Sequence, residues 1–167
     1  LQGDAAGARL FSRLGVSTTY TDRGVMLRPN GKRCEKLVYH FVNEPDLAQT
    51  FVVSCVLLNV PFRFTGLQSL KIKETDRLEA LKTELRKLGY VLTDSCDSVL
   101  EWNGQRCDPD PHPVIATYED HRMALAFAPA ALLLPGGIEI ARPEVVSKSY
   151  PYYWEDLKKA GFILEEK

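Results

Sequence analysis

Two runs of this chain have almost no polar face. Leu47-Ala48-Gln49-Thr50-Phe51-Val52-Val53-Ser54-Cys55-Val56-Leu57-Leu58 interrupts its apolar residues only with small or amide side chains, and Met123 to Leu134 has no charged residue at all. Each run is long enough for a helix, and a helix that is apolar all round has to be covered on every side. That requirement constrains the fold more than anything else in the sequence. The rest of the chain is barely enough to enclose two such helices, so we expect an apolar face left exposed, or self-association through it. Pro129 lies inside the second run and predicts a kink or a restart there.

The two runs occupy equivalent places in an internal repeat. Gly15 and Gly89 are 74 residues apart, as are Asp46 and Asp120, and Pro61 and Pro135. Around these markers each copy reads as an amphipathic helix, a strand pair, a third strand, the apolar helix and a closing strand. The strand pairs are Ser17 to Tyr20 with Val25 to Arg28, and Tyr90 to Thr93 with Val99 to Trp102; turn signals Asn30-Gly31 and Asn103-Gly104 follow them. The third strands are Leu37 to Val42 and Val114 to Tyr118, and the closing strands Phe62 to Thr65 and Gly137 to Ala141. The predicted units run from about residue 1 to 66 and from about 67 to 143, with a short helix over about 152–160. A mixed unit of this length, duplicated, predicts an α/β fold rather than a solenoid. The loop Asp108-Pro109-Asp110-Pro111-His112-Pro113 cannot be regular structure.

The chemistry concentrates at one stretch, Lys73-Glu74-Thr75-Asp76-Arg77. It opens a segment that reads as a helix to Leu88, with Leu78, Leu81, Leu85 and Leu88 in one stripe and Gly89 as a left-handed cap. Two cations at a helix start oppose the helix dipole, but together with the free N–H groups there they suit an anion. If the helix begins by Lys73, Lys73 and Arg77 share a side, and Glu74 lies between them as an acid within reach of what they hold. Arg122, in Asp120-His121-Arg122, is another cation at the start of an apolar helix, and Lys148 lies in a loop before the last helix. Each feature also has a plainer reading: a solvated charge cluster for 73–77, a cap for Asp46, a structural histidine for His121.

Composition excludes some classes. A net charge of −1 points to neither nucleic acid nor an anionic membrane, so any anion site is local. The four cysteines form no CxxC pair and His is scarce, which argues against structural zinc and fits a reducing compartment. Cys55 reads as a small core residue. No apolar stretch reaches the length of a membrane span, and no signal peptide opens the chain. The chain begins at Leu1 in mid-pattern, which suggests a piece of something longer.

The motifs KETDRLEALKTELRKLG (73–89), EDHRMALAFA (119–128) and VVSKSYPYYWEDL (145–157) together resemble the EPSP synthase family, 3-phosphoshikimate 1-carboxyvinyltransferases, over essentially the whole chain. A related enolpyruvyl transferase acting on a UDP-amino sugar shares the fold without both of the first two motifs. The resemblance implies a fold of β-α-β-α-β-β units, three in each of two domains, two of which are here as a partial C-terminal domain. It implies transfer of the enolpyruvyl group of phosphoenolpyruvate to the 5-hydroxyl of shikimate 3-phosphate, in the cytoplasm, with no cofactor or metal. It places Asp46 as the base for the hydroxyl proton, Glu74 as the acid for the methylene carbon, and Lys73 near the attacked hydroxyl. Arg77 and Arg122 match arginines that grip phosphoenolpyruvate, and Lys148 a lysine near its phosphate. Asp120 and His121 are expected to hold Arg122 in place. Ser69 stands where many members have an asparagine touching shikimate 3-phosphate. The other domain of the parent chain would be the partner, so the isolated chain is expected to be inactive. Two alternatives stay open: the UDP-N-acetylglucosamine enolpyruvyl transferase, and a non-catalytic anion-binding module.

Overall fold

A computed structural model describes residues 5–73 and 75–165; Glu74 lies outside the described residues. The chain opens with helix α1 (Ala6–Arg13) and a hairpin, β1 (Val16–Thr21) antiparallel to β2 (Gly24–Pro29). Strand β3 (Leu37–His40), helix α2 (Ala48–Leu57) and strand β4 (Phe62–Thr65) form a parallel crossover. Helix α3 (Arg77–Lys87), β5 (Thr93–Ser95) and β6 (Val99–Trp102) follow. Strand β7 (Val114–Ile115), helix α4 (His121–Phe127) and strand β8 (Glu139–Ile140) make a second parallel crossover, and α5 (Tyr153–Lys159) closes the chain. Short 3-10 turns at Pro45–Leu47, Gln68–Ile72, Ala128–Leu132 and Pro143–Lys148 fill the junctions.

The sheets group these elements differently from a simple halving of the chain. One four-stranded sheet has the order β3-β4-β6-β5, with β3 parallel to β4 and β6 antiparallel to both β4 and β5. It crosses the boundary drawn near residue 66. From β3 to β6 the elements run β-α-β-α-β-β; α1, β1 and β2 have the order that ends such a unit, and β7, α4, β8 and α5 the order that begins one.

The core explains the placement. Helices α2 and α4 pack on each other, and α3 packs against α2. Phe51 of α2 meets the Phe11 ring at 4.6 Å, and Phe41 meets Phe64 of β4 edge-on at 4.9 Å. As a result neither α2 nor α4 shows an exposed residue; the exposed apolar face expected on the two runs is missing along α2 and survives at the end of the second run, where Leu132 and Leu133 face outward. The exposed large apolar side chains include Tyr20, Val25, Met26 and Leu27 on the first hairpin, and Leu132 and Leu133 beyond α4. Helices α2 and α4 themselves present no exposed residue through which copies of the chain could associate. At Pro129 the α-helix stops and a 3-10 turn takes over, as a residue without an N–H dictates.

Helix α3 carries the expected stripe: Leu78, Leu81, Leu85 and Leu88 are all buried. Gly89 sits at φ +87°, and an added Cβ would come within 3.0 Å of the Cys107 carbonyl, so glycine is required twice over. The start differs from the sequence reading. Asp76 is the N-cap and accepts from Leu78 N (3.1 Å) and Glu79 N (3.2 Å), so the helix begins at Arg77 and Lys73 lies outside it. A carboxylate that satisfies two free N–H groups outweighs the helical spacing of the cations.

Candidate functional site

The expected residues lie in segments that follow the C-terminal ends of parallel strands: Asp46 after β3, Ser69, Lys73 and Arg77 after β4, Asp120 to Arg122 after β7, and Lys148 after β8. In open α/β sheets this edge is where ligands bind, because the loops there gather between diverging strands and their succeeding helices.

Asp46 is the meeting point. Its Oδ1 accepts from Arg77 Nη1 at 3.0 Å, and its Oδ2 from Arg122 Nη2 at 3.1 Å. Lys73 Nζ lies 3.8 Å from Oδ1, and Arg122 Nη1 donates to the Asp46 carbonyl at 3.1 Å. Asp120, fully buried, accepts from Arg77 Nε at 2.6 Å and from Nη2 at 3.3 Å, a forked pair. Lys148 Nζ donates to the Glu119 carbonyl at 3.1 Å, beside Asp120. Lys73, Arg77, Arg122 and Asp46 therefore converge, although Lys73 and Arg77 do so through a shared carboxylate and not through one helix face.

Accessibility divides the cations. The Arg77 side chain is 2% exposed, held between Asp46 and Asp120, whereas Arg122 and Lys73 keep 27% and 35% of theirs. An anion arriving from solvent meets Arg122 and Lys73 first. The support expected for Arg122 is also arranged differently. Asp120 caps its backbone N–H at 2.9 Å, but the carboxylate's side-chain partners are Arg77 and Gln49. His121, the first residue of α4, is half-buried and makes no described hydrogen bond to Arg122. Ser69 is half-buried in the Gln68–Ile72 turn, which packs against the Pro45–Leu47 turn that carries Asp46.

Sequence reasoning missed Gln49. It is fully buried in α2, and its Nε2 reaches Asp120 Oδ2 at 3.4 Å while its Oε1 has no partner among the described residues. A lone amide in an otherwise apolar run was the available signal. Among the described residues no group of His, Cys, Asp and Glu could hold a metal ion, and no helix is long and apolar enough to cross a membrane. Two shallow surface hollows, one of about 140 Å³ beside Lys82 and Arg86 and one of about 350 Å³ beside Lys32 and Arg33, are not lined by these site residues.

The electrostatics give a prediction. Partial burial raises the Asp46 carboxyl, but Arg122, Lys73 and Arg77 outweigh it and hold the group below its ordinary value. A depressed carboxyl contributes stability that is full above the unfolded value of 3.8 and is lost as pH falls through the lower folded value. Thermal unfolding between about pH 5 and about pH 2 should therefore fall less steeply for Asp46→Asn than for the unaltered chain. Parallel curves would mean that these cations do not grip Asp46 in solution.

Comparison with known proteins adds the relatives. Residues 1–157 match the family model described as EPSP synthase (3-phosphoshikimate 1-carboxyvinyltransferase). The chain is 66% identical over 161 residues to 3-phosphoshikimate 1-carboxyvinyltransferase of Bacteroides fragilis, covering 96% of this chain and 39% of that protein. It is 35% identical over 164 residues to the protein of the same name from Syntrophobacter fumaroxidans, covering 95% of this chain and 37% of the relative. Among solved structures, an EPSP synthase from Acinetobacter baumannii superposes with a TM-score of 0.67 at 20% identity, covering 98% of this chain and 40% of that one. At that identity the likeness is one of fold. The chain spans about 39% of the length of the Bacteroides fragilis relative.

Proposed function

The chain belongs to the EPSP synthase family, and from that premise we propose that it forms one wall of the active site of a 3-phosphoshikimate 1-carboxyvinyltransferase. The substrates are phosphoenolpyruvate and shikimate 3-phosphate, and the facing wall comes from the N-terminal domain of the same parent protein, in the cytoplasm. One observation carries the reading: Lys73, Arg77 and Arg122, from separate segments, meet on the single carboxylate of Asp46. Both substrates are anions, and a cluster of fixed cations is what holds and polarises them.

In the proposed addition step, Glu74 gives a proton to the methylene carbon of phosphoenolpyruvate. The 5-hydroxyl oxygen then bonds to the neighbouring carbon, and Asp46 takes the hydroxyl proton. In the elimination step the Glu74 carboxylate takes a proton back from the new methyl group, the electron pair of that C–H bond forms the carbon–carbon double bond, and phosphate departs with the electron pair of the broken C–O bond. Arg122 and Arg77 serve the substrate carboxylate, Lys73 the attacked hydroxyl, Lys148 the phosphate, and Ser69 shikimate 3-phosphate. The Asp46 contacts supply a reason for the order of events. A substrate carboxylate competes with Asp46 for Arg122 and Lys73; as those cations turn to substrate, the Asp46 carboxyl rises and becomes the better base.

The direct test places this chain in the Bacteroides fragilis relative in exchange for its matching segment. Enolpyruvyl transfer to shikimate 3-phosphate is the expected result, with none from the chain alone. A folded hybrid that transfers nothing, or that turns over UDP-N-acetylglucosamine instead, overturns the reading. In that hybrid Arg122→Lys should raise KM for phosphoenolpyruvate about tenfold or more, since an ammonium cannot reproduce the paired bonds of the guanidinium. An unchanged KM would make Arg122 structural.

A further inference from the structure

A second buried network stands behind the anion cluster. Glu84, on α3 two turns after Arg77, is fully buried. Its Oε1 accepts from the Tyr118 hydroxyl at 2.7 Å, and its Oε2 from Ala116 N at 3.0 Å and Lys87 Nζ at 2.6 Å. Lys87 Nζ also donates to the Val114 carbonyl at 2.9 Å. One α3 carboxylate and its lysine thus grip the segment 114–118 at three backbone or hydroxyl points.

That segment leads into an unusual turn. Tyr118 and Glu119 both adopt left-handed backbone, with φ of 54° and 59°. Two successive non-glycine residues in that region cost free energy, and the conformation persists only where its surroundings impose it. The turn delivers the chain directly into the site. Asp120 N donates to the Thr117 carbonyl at 2.9 Å, closing the turn, and the Asp120 carboxylate then meets Arg77. The Glu119 carbonyl receives Lys148, and the Glu119 carboxylate pairs with Arg142.

We propose that Glu84 is a positioning residue for this site, acting through Tyr118: it clamps the left-handed turn so that Asp120, Arg122 and Lys148 arrive against the groups brought by the β3 and β4 segments. The proposal rests on the function proposed above and deepens it. Arg77 and Glu84 leave the same helix and grip the same incoming segment at two places, Asp120 and Tyr118. The helix thereby sets the distance between the two strands' contributions to the site. Burial, with the Glu84 bond next, raises the Tyr118 hydroxyl above its ordinary value, so it remains a donor throughout the physiological range.

Tyr118→Phe removes the hydroxyl alone. Hydrogen exchange of this chain, read by NMR, should then show the Arg77 Nε–H and Asp120 N–H exchanging about tenfold faster or more than in the unaltered chain. Core amides of β4 and β6 should keep their relative rates. Leu100→Val, a stability control on β6, should speed the globally protected amides together and not single out those two protons. In the hybrid enzyme, Tyr118→Phe and Glu84→Gln should each raise KM for phosphoenolpyruvate about 3- to 30-fold with a smaller change in kcat. The double variant should do little more than Glu84→Gln alone, because the Tyr118 hydroxyl acts only through one of the contacts that the Glu84 change disturbs. If Arg77 and Asp120 exchange in Tyr118→Phe merely follows global stability, as in Leu100→Val, the positioning role is overturned. If the exchange responds as expected while the unaltered hybrid transfers no enolpyruvyl, the clamp stands and the function reading falls.

Discussion

Replacing Asp120 with alanine should destabilise the chain by about 3–5 kcal/mol, the range for removing one partner of a buried ion pair. The loss comes from what remains. Arg77 is 2% exposed and cannot turn to water, so its charge stays in the interior with Asp46, itself shared with Arg122 and Lys73. Asp120 also accepts from Gln49 Nε2 and caps the Arg122 N–H, and both donors lose that acceptor. These losses share one carboxylate and do not add in full. A domain's whole stability is about 5–15 kcal/mol, so the alanine variant sits near the edge of folding. Asp120→Asn keeps the volume and one acceptor oxygen and should lose less; urea unfolding of the two variants checks the order. If both variants lose under about 1 kcal/mol, Asp120 is not what balances Arg77.

Glu74→Gln, in the complete hybrid enzyme, should lower turnover by about 10²–10⁴-fold, the usual contribution of a positioned proton donor. The amide keeps size and polarity but holds no transferable proton, so KM for both substrates should change little. The placement argument is one of sequence: Glu74 directly follows Lys73, whose Nζ lies 3.8 Å from Asp46, and stands three residues before Arg77, which touches the same carboxylate. Near-normal turnover in Glu74→Gln would remove it from the acid role and leave Asp46 to be tested as the proton carrier in both steps.

The sequence by itself determined what local rules can determine. Unbroken apolar composition marked α2, periodicity the leucine stripe of α3, and strand-like runs the first hairpin, whose strands pair Tyr20 with Val25. Gly89 marked the end of α3, and Pro129 the end of α4. The resemblance carried by the motifs at 73–89, 119–128 and 145–157 named Asp46, Lys73, Arg77 and Arg122 as companions. Apart from that resemblance, each of these signals acts within about four residues, or is carried by residue type alone.

Tertiary structure decided the rest. It placed β4 beside β6, joining strands that the repeat had put in separate copies. It moved the start of α3 to Arg77, because Asp76 could cap there. It buried Arg77 between two carboxylates and left Arg122 and Lys73 to face solvent. It paired Glu84 with Tyr118 across 34 residues and Asp46 with Arg122 across 76. A glutamate on a helix carries no local mark of whether it meets water or a buried hydroxyl. Only the packing of α2 against α4, driven by two helices with no polar face to show, brings those distant groups within hydrogen-bond distance.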